Sequence, residues 1–256
     1  MIQFPEKNYS AKEIANMSGD CLVVRSIFYT IQGEGPFAGR PATFIRLAGC
    51  NRGKKIDCPY CDTDFLVFKS KSMTNDEILN EVEEECKGRS RLIVITGGEP
   101  LMHNNLPSLV DFLVSMRFEV QIETNGDFVR KDTIPRAVIV VSPKLSGKTG
   151  VYPTPNKEML QRADFLKVVV SGDEENPYHA LPFYLKAFAE DKGNDAVFIS
   201  PINEYLRPVK EGEIASMWND MYDKEQCGKN HIYAAQVATE FGYRLSLQMH
   251  TYVAMA

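Results

Sequence analysis

The sequence predicts an α/β fold: an incomplete, TIM-type barrel of parallel strands. Three observations carry this. Short apolar runs rich in β-branched residues alternate with amphipathic stretches, the pattern of doubly covered parallel strands joined by right-handed crossovers. About six such runs fall at crossover spacing, too few to close an eight-stranded barrel. Polar segments recur just past the strand ends, where parallel α/β architectures keep their ligands.

The elements follow in order. Strands are expected at Val23–Tyr29 and Thr43–Leu47. Thr74-x-x-Glu77 reads as a capping box opening a helix over Asn75–Lys87, which Gly88 closes. A strand at Leu92–Thr96 leads to a helix at Leu106–Met116, then come strands at Glu119–Glu123 and Ala137–Val141. Asn156 caps a helix over Lys157–Ala163, followed by a strand at Phe165–Val170 and a helix at Pro177–Asp191. After the strand Val197–Ser200, helices are expected at Glu211–Lys224 and Asn230–Phe241, broken at Cys227-Gly228. The last strand spans Arg244–Gln248 and ends at His250. No linker or repeat divides the chain, so residues 1–256 read as one domain, with the first twenty residues as a polar extension.

Composition excludes several classes. A net charge of −5 disfavours a phosphate-backbone partner, so no nucleic acid is expected. No run of roughly 18 apolar residues offers a membrane span. Met1–Lys7 lacks a basic segment leading into an apolar one, so no secretory signal is expected and the location reads as cytoplasmic. In that setting clustered thiols mean metal or redox chemistry, not disulfides.

Three of the six cysteines cluster as Cys50-x7-Cys58-x2-Cys61. Three thiolates can hold three irons of a cubane and leave the fourth open to a ligand. A structural zinc site prefers two close pairs, and only one exists here; His103 or His250 as a fourth ligand lacks a partner at finger spacing. Zinc and unliganded thiols stay as alternatives. Lys54 and Lys55 in the insert read as a solvated tip or as groups that lower thiolate pKa values. Cys21, Cys86 and Cys227 are scattered and read as small apolar side chains; His103, His179 and His231 read as structural, and Met217, Met221, Met249 and Met255 as core filler. Gly97 and Gly98, in Thr96-Gly97-Gly98-Glu99-Pro100, lack Cβ atoms and let backbone approach a ligand.

Cys58-Pro59-Tyr60-Cys61 and the following Gly-Gly-Glu-Pro run resemble the radical S-adenosylmethionine (SAM) superfamily. Its common first gap is shorter than the seven residues here, a change that a surface loop tolerates at small entropic cost. Within that superfamily, Ser26–Asn51 with its Gln32-Gly33-Glu34-Gly35, Cys61-Asp62-Thr63, Gln121–Thr124, Ser142-Pro143-Lys144 and Arg244–His250 are similar to the 7-carboxy-7-deazaguanine synthases.

The resemblance implies a radical SAM core and a lyase that turns 6-carboxy-5,6,7,8-tetrahydropterin into 7-carboxy-7-deazaguanine with loss of ammonia, in queuosine and 7-deazapurine biosynthesis. It implies a 4Fe-4S cluster on Cys50, Cys58 and Cys61, and Mg on Thr63. It implies SAM contacts from Tyr60, Cys61, Asp62, Gly98, Glu99, Ser142, Pro143, Lys144, Ser200, Pro201, Ile202 and Asn203. Substrate contacts are implied for Ile31, Gln32, Gly33, Glu34, Arg46, Thr96, His250 and the carboxylate of Ala256. Because the radical comes from SAM, no side chain need be a catalyst. An electron donor of flavodoxin or ferredoxin type and a homodimer are implied as well. By the residues alone, Glu34 also fits a plain surface carboxylate, Arg46 an interior arginine paired to a structural acid, and His250 an ordinary satisfied histidine. Two other functions share the features: a glycyl-radical activating enzyme, which leaves Gln-Gly-Glu-Gly unexplained, and a non-catalytic metal-binding module.

Overall fold

Among the described residues, nine strands form one sheet in the order β3-β1-β2-β4-β5-β6-β7-β8-β9. The computed structural model describes residues 14, 21–52, 58, 60–61, 70–129, 136–146, 149–207 and 213–255. The strands are β1 (Cys21–Ile31), β2 (Pro41–Leu47), β3 (Lys71–Thr74), β4 (Leu92–Gly97), β5 (Glu119–Thr124), β6 (Val138–Val141), β7 (Phe165–Val170), β8 (Val197–Pro201) and β9 (Arg244–Leu245). From β2 through β9 each neighbouring pair is parallel; β1 runs antiparallel to β2 and to β3. The two edges, β3 and β9, do not pair, so the barrel stays open, as a parallel sheet with too few strands must.

The expected parallel strands form because they bury both faces. Leu92, Ile93, Val94 and Ile95 of β4 are all buried, as is every residue of β8. The sequence carries no signal for β3. Its Lys-Ser-Met-Thr is too short and polar to show a period, and it forms because Leu22 and Val24 of β1 offer it a partner register. The long antiparallel β1 is a second departure from an all-parallel expectation: the short connection through Gln32–Arg40 permits a hairpin and no crossover.

Helix α1 (Asn75–Cys86) opens on the expected capping box, with Glu77 N–H donating to Thr74 Oγ1 at 3.3 Å and Thr74 N–H to Glu77 Oε2 at 2.8 Å. It ends one residue early, because Lys87 itself takes the left-handed cap at φ 48°. Helix α2 (Leu106–Ser115) buries Leu106, Leu109, Val110 and Leu113, and α3 (Lys157–Arg162) starts at the Asn156 cap.

Three expectations change. Pro177–Asp191 is not one helix: a 3-10 turn at Pro177–His179 precedes α4 (Leu185–Lys192), since Pro182 lacks a donor and its ring would clash inside a helix. The described part of Glu211–Lys224 is not helical before Lys224. Ser216 Oγ accepts from Trp218 N–H and Asn219 Oδ1 from Met221 N–H, local bonds that compete with a helix. Helix α5 (Lys224–Phe241) instead starts at the Asp223 cap and runs unbroken through Cys227-Gly228; one glycine costs about 1 kcal/mol, too little to end a helix of this length. Finally, Arg244–Gln248 is a strand only at Arg244–Leu245, and His250 lies on a short helix, α6 (Met249–Tyr252). Met249 N–H donates to Gly33 O at 3.2 Å there, turning the chain off the sheet. Of the first twenty residues Ile14 is described; it is 1% exposed and packs with Val23, Ala48 and Met102 under the cysteine loop.

Candidate active site

The cysteine loop leaves the carboxyl end of β2. Gly49 turns it at φ +83°, with Ile14 filling the space a Cβ would need. Cys58 is buried, and Cys50 and Cys61 are half-buried; Cys61 N–H donates to Cys58 O at 3.1 Å. Burial pushes the Cys50 thiol up to about 12; the Arg52 backbone N–H opposes this, and Glu99 and the other two thiols reinforce it. Such a thiol ionises when a cation sits beside it, so this loop suits iron and makes a poor free nucleophile. Among the described residues no three His, Cys, Asp or Glu side chains gather to hold one ion. A cubane spreads three thiolates over three irons and does not ask for that gathering.

The exit loop of β4 is held against this loop by backbone bonds. Gly98 N–H donates to Leu47 O at 3.1 Å and Glu99 N–H to Gly49 O at 2.8 Å. A Cβ on Gly98 would overlap the Gly49 carbonyl, and one on Gly97 would overlap Leu47. These glycines permit a close approach between two loops, and both also line the cavity toward which the sequence placed a ligand. Glu99 is fully buried beneath them and accepts from Thr124 Oγ1 at 2.6 Å, Asn125 N at 2.8 Å and Leu101 N at 3.0 Å. Burial lifts its carboxyl to about 7, against the pull of those donors. The β5 exit loop completes the frame. Asp127 takes a bidentate pair from Arg52 at 2.6 and 2.7 Å, and a bond from Asn51 at 2.6 Å.

The loop leaving β1 crosses the open barrel. Gln32 Nε2 donates to Glu123 Oε1 on β5 at 3.0 Å, and Gln121 Nε2 donates to the same oxygen at 3.0 Å. Glu34 Oε2 pairs with Lys167 Nζ of β7 at 3.0 Å, and Glu34 Oε1 accepts from Ser200 Oγ of β8 at 3.2 Å. Gly35 N–H reaches Ser246 Oγ at 3.0 Å. Glu34 is therefore a largely buried partner in an ion pair, its side chain 14% exposed, and not a surface carboxylate. Burial pushes its carboxyl up, but the Lys167 charge, then His250 and the two hydrogen bonds, outweigh it and hold it below the usual range. His250 packs on Gly33, where any Cβ would overlap the imidazole. Arg46, on β2, lies over the Phe28 ring at 5.4 Å; its Nε is buried without a hydrogen-bond partner, and it makes no ion pair among the described residues.

These groups line one cavity of about 230 Å³. Its wall includes Gln32, Glu34, Arg46, Cys50, Cys58, Tyr60, Cys61, Thr96, Gly98, Ser142, Lys144, Ser200, Pro201, Ile202, Asn203 and His250 of the sequence-derived set. Ile31, Gly33, Glu99 and Pro143 are not on the wall. Asp62, Thr63 and Ala256 lie outside the described residues, as do Lys54 and Lys55. Lys144 Nζ donates to Ser142 Oγ at 2.8 Å and lies 5.7 Å from the centre of the Tyr60 ring. The wall also holds Arg52, Glu123, Gln248 and Lys167, which the sequence-derived set lacks. One signal existed for the last: a lone lysine inside Phe-Leu-Lys-Val-Val-Val, a strand covered on both faces.

Comparison with known proteins agrees with this geometry. The radical SAM superfamily model matches residues 44–138. The chain is 37% identical over 248 residues to the 7-carboxy-7-deazaguanine synthase of Rickettsia prowazekii (strain Madrid E), covering 94% of this chain and 92% of that one. The synthase of Rhodospirillum rubrum is 33% identical over 247 residues, covering 93% and 94%. The crystal structure of QueE from Escherichia coli matches with a TM-score of 0.61 and 27% identity over 90% of this chain and 95% of that one. With two such relatives matched nearly end to end, and a cavity lined by three cysteines and by an arginine that makes no ion pair among the described residues, the chain belongs to the 7-carboxy-7-deazaguanine synthase family of radical SAM enzymes.

Proposed function

We propose that the chain converts 6-carboxy-5,6,7,8-tetrahydropterin to 7-carboxy-7-deazaguanine and ammonia. Removing ammonia from that pterin leaves the atoms of the product, so ring contraction needs no net oxidant and an abstracted hydrogen can be returned. When bound, the cluster on Cys50, Cys58 and Cys61 supplies the electron that cleaves SAM to methionine and a 5′-deoxyadenosyl radical. The residues of the chain bind, orient and shield.

The observation that carries the reading is Arg46. A guanidinium with a buried, unpartnered Nε on the wall of the cysteine cavity calls for an anion. The substrate carboxylate is that anion. Glu34 and Glu123 are acceptors for the N–H edge of the pterin, with Gln32 between them and Thr96 within 3.5 Å of Glu123. Phe44 and Val169 give the same cavity apolar wall, which limits water. Tyr60, Gly98, Ser142, Lys144 and the Ser200–Asn203 segment are assigned to SAM, and Thr63 with the substrate carboxylate to Mg.

The reading extends to a single domain over residues 1–256, a homodimer, and a flavodoxin- or ferredoxin-type donor in the reducing cytoplasm. No helix among the described residues is long and apolar enough to cross a membrane. Neither a glycyl-radical activator nor a metal-binding module accounts for relatives matched over more than nine-tenths of the chain.

The test is direct. Protein reconstituted without oxygen and reduced forms the deazaguanine acid from the carboxytetrahydropterin only when SAM is present. An intact cluster that cleaves SAM yet yields no such product removes the assignment and leaves the superfamily.

A further inference from the structure

Lys167 is the one buried lysine among the described residues. It sits in the middle of β7, between Leu166 and Val168, which are fully buried. Its ammonium reaches the cavity 3.0 Å from Glu34 Oε2, and the two side chains are 9% and 14% exposed. A lysine so placed is expensive unless its charge has a task. The groups facing Glu34 come from three elements: Lys167 on β7, Ser200 on β8 and His250 on α6. Of these, Lys167 brings a charge at direct bonding distance.

The chemistry of a pterin edge explains the need. Its ring N–H and 2-amino group point the same way, two donors side by side. A carboxylate meets both, whereas a protonated acid presents a donor of its own to that edge. A carboxyl as buried as Glu34, left alone, would take up a proton. We infer that Lys167 is a positioning residue that keeps Glu34 an anionic, doubly accepting clamp for the amino-pyrimidinone edge of the substrate. This rests on the function proposed above, and it assigns Lys167 to binding and orientation, with no part in bond cleavage.

A double-mutant cycle on the cluster-loaded protein tests it, using the unreactive analogue 6-carboxypterin and titration calorimetry. K167M weakens binding by about tenfold or more at neutral pH, and the loss grows as pH falls from about 7.5 to about 6, because Glu34 then protonates. K167R stays within about threefold of the parent at these pH values, since the charge is kept. In an E34Q background, adding K167M changes affinity by less than about twofold. The E34Q/K167M protein carries neither member of the ion pair, so this comparison decides the matter even where K167M alone does not fold. Equal losses in both backgrounds mean that Lys167 touches the ligand itself and overturn the inference, as does a K167M protein that binds like the parent. A parent that does not bind 6-carboxypterin at all removes the proposed function and this inference with it.

Discussion

Replacing Arg46 by methionine separates binding from folding in a way that few site mutations do. In the free protein the guanidinium lies over Phe28 while its Nε has no partner. Losing the ring contact costs about 0.5–1 kcal/mol. Removing a buried unsatisfied donor returns about 1–3 kcal/mol. The two oppose each other, so the stability of Arg46→Met stays within about 2 kcal/mol of the parent and on the stable side. Ligand binding moves much further. A hydrogen bond between charged groups is worth about 1.5–3 kcal/mol, so affinity for 6-carboxypterin falls by about 10- to 150-fold. Pterin without the carboxyl group is bound equally by parent and variant. The assays are urea unfolding and paired calorimetric titrations with the two pterins. A drop of about 3–5 kcal/mol in stability, as when a buried ion pair is broken, would show that Arg46 has a structural acid and refute the reasoning. So would an equal loss of affinity for both ligands.

Two further outcomes are expected. Glu99, fully buried and lifted by that burial to about 7 from an ordinary 4.5, binds its proton more tightly folded than unfolded. Its contribution to stability is therefore full below about 4.5 and is lost as pH rises through about 7. In the metal-free protein the parent should lose about 3 kcal/mol relative to E99Q across that window; a difference independent of pH counts against it. Tyr252 Oη lies 2.7 Å from His231 Nε2, whose Nδ1 faces the Cys227 carbonyl, so the ring N–H sits on Nδ1 and the tyrosine donates. Tyr252→Phe should lower the melting temperature by about 2–4 °C and weaken 6-carboxypterin binding through α6, which carries His250; a variant that melts like the parent would exclude that contact as a support.

What could be read in the sequence was local. Cys50, Cys58 and Cys61 declare themselves because a ligand set on one loop has a spacing, and Thr74 with Glu77 because a capping box is four residues long. The core strands show because burial on both faces leaves an unbroken apolar run. The errors have physical causes of the same local kind, overridden. A helical period through Pro177–Asp191 is cut by the missing donor of Pro182, and one across Glu213–Tyr222 gives way to the turns that Ser216 and Asn219 close. His250 sat in an alternating run until the Gly33 carbonyl drew Met249 into a turn. Nothing short of the folded chain joins Glu34 to Lys167, 133 positions away, or Arg52 to Asp127.

The pairing of Glu34 with Lys167 also bears on how an open barrel holds a shaped cavity. Strand pairing cannot join β3 to β9, so the two sides of the sheet need another link. The β1 loop provides it. From the β1 hairpin it bonds to Glu123 on β5, Lys167 on β7, Ser200 on β8, Ser246 beyond β9 and Met249 on α6. Each neutral bond in that bridge is worth about 1 kcal/mol, and the three to the carboxylates of Glu34 and Glu123 somewhat more. Such a link is weak beside a strand ladder and is made of the same side chains assigned to the pterin. A ligand that engages Gln32, Glu34 and His250 therefore adds its binding energy to the closure of the barrel as well as to its own retention. Sequence change at Gln32, Glu34 or Lys167 acts on both at once, which is why this short loop constrains the fold as tightly as it constrains the chemistry.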